Sequence, residues 1–329
     1  MKIFITGGTG FIGRRLTERL VYRGHEVSLL LRNPSDAVSG GTDRVNYIPG
    51  DIFDKEALIK GMTGCDCIFH MAAYTKPGSA DPSIPYKTNV MGTINVLDAA
   101  AACGVKKIVI TSTGGTMGCS KNGDMVCENT NPEPLFNTDY EKTKFEVEKI
   151  AKEYSARGLD VVIVNPTRVY GPGKLSKSNS LTKIIKLYMS GLWRILPGNG
   201  DSIGNYVFID DVVEGHILAA VSGKKGERYI LGGENLTFRE VFKITGEVCG
   251  KKRILMPLPL PFMKLIIKSA FLISRLTGTP PFITSDWLDK YLHDWIISSD
   301  KAIAELGYRI TPFREGVEQT VNWIRKSGV

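Results

Sequence analysis

Cysteine and histidine are scarce in this 329-residue sequence, and neither is arranged as a metal site. No Cys-x-x-Cys pair occurs, and no histidine stands at metal-ligand spacing from the six scattered cysteines Cys65, Cys67, Cys103, Cys119, Cys127 and Cys249. Scattered cysteines are typical of reduced thiols in a cytosol. The first residues lead directly into a motif, without a basic leader or a signal-like apolar region. We therefore expect a cytoplasmic protein with no disulfide and no bound metal.

A long uncharged apolar run is also missing. The most apolar stretch, residues 258–276, is interrupted by Lys264, Lys268 and Arg275, whereas a membrane-spanning helix needs about 20 mostly apolar residues. The simplest interpretation is a helix packed on the rest of the chain. The alternative is a surface helix over 262–276 whose apolar and basic faces make peripheral contact with a membrane or a partner chain.

The overall composition is that of an ordinary globular protein. Hydrophobic residues make up 43% and charged residues 23% of the chain, which is enough for a sizeable core. A single core stops growing at about 250–300 residues, so we expect two unequal lobes. The net charge of +8 favours polyanions in general. We expect no nucleic-acid partner, because the motifs indicate a phosphorylated small molecule instead.

Short apolar runs alternate with stretches of helical period. The runs predict strands at 2–6, 26–31, 67–70, 107–112 and 160–165, with helices at 13–23, 86–103 and 138–157. Repeated βα units predict an α/β fold with a doubly wound parallel sheet. After Pro166, the regular alternation of strand and helix patterns is replaced by glycine and proline turns. We expect a nucleotide-binding domain over 1–170 and a smaller α+β, mainly substrate-binding lobe over 171–329.

Three glycines follow the first predicted strand at the spacing G-x-x-G-x-x-G. These are Gly7, Gly10 and Gly13, with Phe11 and Ile12 inside the same turn. Glycines there let the backbone approach a pyrophosphate, whose charge then lies at the amides and positive end of the next helix. The order of strand, loop and helix distinguishes this motif from an ordinary glycine-rich turn. It predicts a Rossmann-type NAD(P) site at these five residues.

The residues at the end of the second predicted strand indicate whether the cofactor is NAD or NADP. A carboxylate there would accept the ribose hydroxyls and repel a 2′-phosphate, but no acid occurs before Asp36. Arg32, together with Arg14 or Arg15, could instead bind a dianionic phosphate. We predict NADP, with NAD as the alternative.

Tyr140 and Lys144 lie one turn apart on a predicted helix, so their side chains share a face. A lysine ammonium beside a phenol favours the phenolate and is expected to bring the pKa of Tyr140 from near 10 toward neutrality. Such a phenol can exchange a proton with an alcohol or a ketone. A Tyr-x-x-x-Lys spacing by itself is common by chance.

Together, these motifs resemble the extended short-chain dehydrogenase/reductase superfamily, of the NAD-dependent epimerase/dehydratase type, over nearly the whole chain. The residues at 69–73, 89–93 and 111–113 match further motifs of that family in order. The resemblance implies cofactor contacts at Asp51, Ile52, Met71, Ala72, Ala73, Thr111, Tyr140, Lys144 and Pro166.

The same resemblance implies the reacting groups. Thr113 would bond the substrate oxygen, Tyr140 would act as acid or base, and Lys144 would also hold the nicotinamide ribose. Asn165 would lie beside Pro166 against the nicotinamide. Residues 205–235 would return to the first domain, beginning with a strand at 205–211. A homodimer through the helices at 86–103 and 140–154 is also implied.

Several polar residues are better interpreted as structural than as catalytic or metal-binding. Asp210 and Asp211 could suggest metal ligands, but structural or helix-capping use is the better interpretation. His25, His70 and His216 are interpreted as surface or packing residues rather than catalytic bases.

Two substitutions bear on the substrate. Nucleotide-sugar enzymes of this family usually carry Asn where this chain has Arg168, and a diphosphate-binding Arg where it has Gly204. A buried diphosphate without that partner loses about 1.5–3 kcal/mol. Residues 165–172 and 113–116, with Arg32, look more like the dihydroflavonol-reductase-like branch.

We therefore predict NADPH-dependent reduction of a ketone or aldehyde on a small organic substrate, as in dihydroflavonol reductases or hydroxysteroid dehydrogenases. The alternative is a nucleotide-sugar epimerase or dehydratase with tightly bound NAD. A non-catalytic dinucleotide-binding sensor is a third possibility, which the set Thr113, Tyr140 and Lys144 argues against.

Overall fold

The computed structural model describes residues 1–33, 35, 43–75, 81, 83–130, 138–175, 179–259, 261–263, 265, 267, 269 and 292–328. Its strands are, in chain order, β1 (Lys2–Thr6), β2 (Glu26–Leu31), β3 (Val45–Pro49), β4 (Cys67–His70), β5 (Lys107–Thr111), β6 (Val161–Pro166), β7 (Arg168–Tyr170), β8 (Ile195–Pro197), β9 (Ile203–Phe208), β10 (Arg228–Leu231), β11 (Glu234–Thr237) and β12 (Met256–Leu258).

Helices follow most of these strands. They are α1 (Phe11–Tyr22), α2 (Lys55–Met62), α3 (Ser83–Tyr86), α4 (Gly92–Ala102), α5 (Asp139–Ala156), α6 (Ser180–Ser190), α7 (Ile209–Ser222), α8 (Phe238–Cys249), α9 (Asp300–Leu306) and α10 (Phe313–Ser327). A π-helical segment, Lys87–Met91, joins α3 to α4, and a 3₁₀ turn, Gly114–Met117, follows β5.

The central sheet has seven parallel strands in the order β3-β2-β1-β4-β5-β6-β10. Its strands are apolar on both faces because helices cover both sides. Along β1, Ile3 and Ile5 enter one core cluster while Phe4, between them, enters the cluster on the other face. The predicted doubly wound parallel sheet is confirmed.

The predicted strand at 205–211 does not return to this sheet. Residues 203–208 form β9, which pairs with β7 and β11 in a separate three-stranded sheet, and α7 follows. The buried Asn205 amide holds β9 there by donating to the Gly233 carbonyl at 2.9 Å and to Asn235 Oδ1 at 2.8 Å. It is β10, with Tyr229 to Leu231 fully buried, that joins β6 in the main sheet.

A smaller aromatic core lies beneath the short parallel pair of β8 and β12. Tyr188, Trp193, Phe238 and Phe242 form it, contributed by α6, the loop after it and α8. Within the described residues, no helix is long and apolar enough to cross a membrane. Most of the stretch 262–276, where a surface helix was the alternative, lies outside the described residues.

Every cysteine is a free thiol. No cluster of His, Cys, Asp or Glu suited to a metal ion occurs in the part of the chain that the structure describes.

Candidate active site

The glycine loop leaves no room for side chains. Gly7 has a φ of +75°, and a Cβ added to it would lie 2.6 Å from the Ala72 amide nitrogen. A Cβ on Gly13 would overlap the Gly7 carbonyl oxygen, so this helix start packs directly on the loop. The backbone therefore forms a cradle that a ligand can approach closely.

The start of α1 is prepared for an anion. Its N-cap is Gly10, which supplies no capping side chain, and no acid stands in the first turn. The first amides of a helix have no carbonyl partner within the helix. They therefore offer hydrogen bonds, and the positive end of the helix dipole, to a phosphate group.

One cavity of about 560 Å³ opens above this loop at the carboxyl end of the central strands. Most of the residues predicted to contact the cofactor or to react line it: Gly7, Gly10, Phe11, Ile12, Gly13, Arg32, Asp51, Ile52, Met71, Ala72, Ala73, Thr111, Thr113, Tyr140, Lys144 and Pro166. The carboxyl edge is where ligands bind in open parallel sheets. Residues spread over 160 positions of sequence thus meet in one place.

Other lining residues were not predicted to contact the cofactor or to react, although Arg168 was singled out for its bearing on the substrate. They are Thr6, Thr9, Leu30, Leu31, Gly50, Phe53, Thr75, Thr88, Ser112, Thr167, Arg168, Val169, Ser180, Leu181 and Tyr206. Most are neighbours of predicted positions, so adjacency to a motif could have found them. Ser180, Leu181 and Tyr206 belong to α6 and β9, and only tertiary packing brings those elements to the cavity.

Lys144 is held at the wall of this cavity by a backbone carbonyl. Thr138 caps α5, accepting a hydrogen bond from the Glu141 amide at 3.1 Å, and so fixes the first turn that carries Tyr140. The Lys144 Nζ is buried and donates to the Thr111 carbonyl at 2.7 Å. Burial lowers the pKa of Lys144 to about 8, while the negative charge of Glu148 opposes that shift.

Tyr140 does not behave as the sequence suggested. Burial raises the pKa of its phenol well above the ordinary value, and the charge of Glu141 adds to the rise. The expected lowering by Lys144 is wrong for this structure. The ammonium is engaged by the Thr111 carbonyl, and loss of hydration disfavours a buried phenolate.

Thr113 is set in place by the turn that follows it. Its Oγ1 accepts a hydrogen bond from the Gly115 amide at 3.2 Å, as the N-cap of the 3₁₀ turn. That bond fixes the oxygen and leaves the hydroxyl hydrogen available for an acceptor in the cavity.

Behind Thr113, three donors converge on one buried carboxylate oxygen. Glu148 Oε1 accepts from the Ser112 hydroxyl, from Thr116 Oγ1 at 2.7 Å and from Asn165 Nδ2 at 2.7 Å. Its other oxygen pairs with Arg228 Nη1 at 3.1 Å. The carboxylate therefore ties the loop after β5 to β6, α5 and β10.

Asn165 belongs to this network rather than to the cavity surface. Its amide also donates to the Thr113 carbonyl at 3.1 Å, and the residue is fully buried. Only its neighbour Pro166 lines the cavity. Of the two residues implied to lie against the nicotinamide, the cavity surface therefore includes Pro166 and not Asn165.

Of the three arginines considered for a 2′-phosphate, one is already engaged. Arg15 makes two hydrogen bonds with Asp210, Nε to Oδ1 at 2.7 Å and Nη2 to Oδ2 at 3.0 Å. Arg14 does not line the cavity, and its Nε is buried without a hydrogen-bond partner among the described residues. Arg32 lines the cavity at the end of β2 and is exposed.

The remaining polar candidates have structural partners. Asp210 pairs with Arg15, and Asp211 accepts from the Thr311 amide at 2.8 Å and hydroxyl at 2.6 Å. His70 lies between Thr6 and Thr93, and burial lowers its pKa to about 3.

His216 bonds Thr111 Oγ1 at 2.9 Å and the Val212 carbonyl at 2.7 Å, and its pKa falls to about 4 through burial. His70 and His216 are thus neutral packing residues at physiological pH. The half-buried His25 lies beside the N-terminal amine, at 3.4 Å from it.

Arg168 occupies the space above Gly204. A Cβ on Gly204 would overlap the Arg168 guanidinium. That guanidinium lies 5.5 Å from the centre of the Tyr206 ring and donates to the Tyr206 hydroxyl at 3.3 Å. The position that lacks a side chain at Gly204 is therefore filled by a cation from β7, which lines the cavity.

Comparison with known proteins agrees with this geometry. A sequence model of the NAD dependent epimerase/dehydratase family matches residues 3–232. A Synechocystis protein named a candidate dihydroflavonol 4-reductase is 29% identical, over 99% of this chain and 95% of its own. Short-chain dehydrogenase/reductase family 42E member 1 of Bos taurus is 30% identical, over 99% of this chain and 88% of its own.

Among solved structures, the UDP-glucose 4-epimerase of Thermus thermophilus in complex with NAD superposes with a TM-score of 0.78. It is 27% identical and covers 99% of both chains. Because the family match spans well over half of the chain and includes the glycine loop and α5, this protein belongs to the NAD-dependent epimerase/dehydratase family of extended short-chain dehydrogenases/reductases and is an NAD(P)-dependent oxidoreductase.

Proposed function

We propose that this enzyme reduces a ketone or aldehyde on a small organic substrate, with NADPH as the hydride donor. One observation carries the proposal: Thr113, Tyr140 and Lys144 line the same cavity as the glycine cradle. An alcohol or carbonyl oxygen near Thr113 and Tyr140 would therefore lie within reach of a dinucleotide bound along that cradle.

The chain's own groups would bind and protonate the substrate oxygen. The Thr113 hydroxyl donates a hydrogen bond to it, and Tyr140 delivers the proton. Because burial keeps the phenol protonated, Tyr140 is suited to donating a proton in the direction of reduction. Bound NADPH would supply the hydride to the carbonyl carbon.

Lys144 supports the phenolate that remains after proton transfer. Its pKa of about 8 leaves most of its ammonium groups charged at neutral pH. A charge one helical turn from the phenol favours the ionised phenol at the moment it forms. The same groups would serve the reverse oxidation.

NADP is the proposed cofactor on the strength of Arg32. No carboxylate occurs at the end of β2, and Arg32 is an exposed cation on the cavity wall. A 2′-phosphate would therefore meet an arginine rather than a repelling acid. Asp51 and Ile52, on the adjoining wall, are the proposed adenine contacts.

The experiment is to follow loss of NADPH absorbance with a panel of ketones and aldehydes. We expect stoichiometric consumption with at least one of them, and loss of turnover in Tyr140→Phe with cofactor binding retained. Full turnover by Tyr140→Phe would remove this residue from the mechanism. The matched control is Tyr154→Phe near the end of α5, a half-buried tyrosine that does not line the cavity and should keep its activity when changed.

A nucleotide-sugar epimerase is the second candidate, and Arg168 favours it. Its guanidinium lies where a side chain at Gly204 would reach, so a cation for a diphosphate is still present. The protein would then purify with NAD bound and interconvert a UDP-sugar without net cofactor consumption. Denaturing the purified protein and identifying the released nucleotide by mass spectrometry separates the two candidates.

We also propose a homodimer formed through α4 and α5. The exposed Tyr86 and Met91 lie at the start of this helical pair, where an apolar contact would cover them. Light scattering of the native protein and of Met91→Glu measures this directly, with dissociation expected in the variant.

A further inference from the structure

Positive charge is concentrated in two segments of the chain. Residues 161–200 and 248–285 contain no Asp or Glu. Their basic residues are Arg168, Lys174, Lys177, Lys183, Lys186 and Arg194 in the first segment, and Lys251, Lys252, Arg253, Lys264, Lys268 and Arg275 in the second. These twelve cations exceed the net charge of +8, so the rest of the chain is net negative. The two segments therefore account for all of the chain's excess positive charge.

The structure brings the two segments together. Strand β8 comes from the first and β12 from the second, and they pair in parallel. The Met256 amide donates to the Arg194 carbonyl at 2.8 Å. Arg253 Nη2 and Lys251 Nζ both reach the Met189 carbonyl, at 3.0 and 3.1 Å. Arg194 from the first segment and Lys251 and Arg253 from the second thus lie beside one small sheet.

Large apolar side chains point outward from the same place. Leu255 packs on the aromatic core, while Ile254 and Met256 on either side of it are 84% and 61% exposed. Farther along, Met263 is buried while its neighbour Phe262 is 60% exposed.

Leu265, which is 61% exposed, and Leu192, which is 76% exposed just before β8, extend this surface. The inward residues already fill the local core, so the outward ones are an additional set. We call this surface the basic apolar face: Leu192, Ile254, Met256, Phe262 and Leu265 with Arg194, Lys251 and Lys252.

We propose that the basic apolar face docks this enzyme on an anionic lipid bilayer. Apolar side chains beside lysines and arginines fit the boundary between acyl chains and phosphates, where the cations remain at the headgroups. Each basic residue near such a surface adds attraction to anionic lipid. The proposed contact is peripheral, with the apolar side chains at the headgroup boundary rather than across the bilayer.

Charge argues against a second copy of this chain as the occupant. A two-fold contact would place the face against itself. Basic residues from both copies would then meet without any acid from either segment, and like charges at short distance repel. An anionic surface satisfies the same cations.

Docking would place the substrate cavity close to the membrane. Ser180 and Leu181 on α6 line that cavity, and the same helix ends just before Leu192 on the basic apolar face. The proposal does not depend on the chemistry assigned to the cavity, and its test measures no turnover.

The test is cosedimentation of the full chain with vesicles of phosphatidylcholine alone, or of equal parts phosphatidylcholine and phosphatidylglycerol. We expect binding to the anionic vesicles only, weakened by high salt. Phe262→Ser should lower the partition coefficient by at least about tenfold through lost apolar burial. Lys252→Gln should lower it by about fivefold through the lost charge.

Matched controls lie far from this face. Tyr22 is 88% exposed at the end of α1, and Lys225 is exposed after α7. Tyr22→Ser and Lys225→Gln should bind vesicles as the native protein does. Equal loss in Phe262→Ser and Tyr22→Ser would overturn the proposal, as would equal binding to both kinds of vesicle or to neither.

Two further outcomes would assign the face to another occupant. If light scattering shows that Phe262→Ser dissociates an oligomer in the absence of vesicles, a second copy covers the face. If the native protein does not bind vesicles and Phe262→Ser lowers the melting temperature, the chain's own residues 270–291 cover the basic apolar face. Either result would overturn docking on a bilayer.

Discussion

Glu148 shows how a residue outside the cavity can fix one inside it. Its carboxylate accepts hydrogen bonds from Ser112, Thr116 and Asn165 and pairs with Arg228. Those partners hold the loop that carries Thr113. No motif in the sequence marked this residue, because its role depends on four partners that come from three other segments of the chain.

Neutralising Glu148 is expected to lower the free energy of unfolding. Glu148→Gln leaves the Arg228 guanidinium without its buried charge partner, a change that typically costs about 3–5 kcal/mol. The matched control is Glu146→Gln on the exposed side of the same helix, where the ion pair with Lys149 is solvent-screened and worth less than about 1 kcal/mol. Urea unfolding of both variants is the measurement, and equal stabilities would contradict this role.

Lys144 predicts a pH dependence of stability. Its pKa is about 8 in the folded chain, against 10.5 for an ordinary lysine, so between these values the unfolded chain binds more protons. Stability from this group therefore rises as the pH increases from about 8 to 10.5, by about 3 kcal/mol in total.

The measurement compares the native chain with Lys144→Met in urea at a series of pH values. Their difference in free energy of unfolding should shift in favour of the native chain over that range and stay constant below pH 7. A difference that does not change with pH would mean that Lys144 is not desolvated.

At the scale of elements, the strands were more predictable than the connections. The strands at 2–6, 26–31 and 67–70 were predicted with their observed bounds, because a strand buried on both faces reads as a continuous apolar run. The strand predicted at 107–112 ends one residue earlier, the one at 160–165 shifts by one residue, and the one at 205–211 is observed at 203–208. β3 was not identified, since its sequence is only partly buried and has no such run.

The sheet that β9 joins could not be predicted from the sequence of the strand itself. Its sequence is as apolar as a central strand, with Tyr206, Val207 and Phe208 all buried. Which sheet it joins is decided by Asn205, whose amide needs partners from β11 and from the chain near Ile297. Such long-range pairing leaves no periodic signal.

The loop between β1 and α1 gives a test at this scale. Gly7→Ala should abolish dinucleotide binding, because the new Cβ meets the Ala72 backbone at 2.6 Å. Gly64→Ala is the matched control: it has nearly the same φ, +74°, with nothing within 4 Å of the new Cβ.

Both variants should lose about 1–2 kcal/mol of stability from the left-handed backbone alone. Only Gly7→Ala should lose NADPH binding, measured by fluorescence titration. Native affinity in Gly7→Ala would place the dinucleotide elsewhere.

For the whole molecule, the cofactor side of the site was more predictable from the sequence than the substrate side. The glycine loop, Tyr140 and Lys144 occupy motifs with fixed spacing, so sequence alone brought them together. The substrate side depends on how α6 and β9 pack over the sheet, and no spacing rule predicts that Arg168 fills the room above Gly204.

Binding in a cavity lined by residues from Thr6 to Tyr206 should stabilise the folded chain, and the cofactor that binds better should stabilise it more. A ligand present at about 100 times its Kd adds about 2.7 kcal/mol to the free energy of unfolding. With Arg32 at the cavity wall and no acid beside it, NADPH should raise the melting temperature more than NADH at equal concentration.

The variant Arg32→Gln tests this directly. Losing a charge-assisted bond to the 2′-phosphate should remove about 1.5–3 kcal/mol of NADPH binding, so the two cofactors should then shift the melting temperature almost equally. Arg15→Gln is the control, because its guanidinium is held by Asp210. It should melt lower than the native chain in the absence of cofactor yet keep the preference for NADPH. If Arg15→Gln rather than Arg32→Gln loses that preference, the phosphate binds at the first turn of α1 and the Asp210 pair opens to receive it.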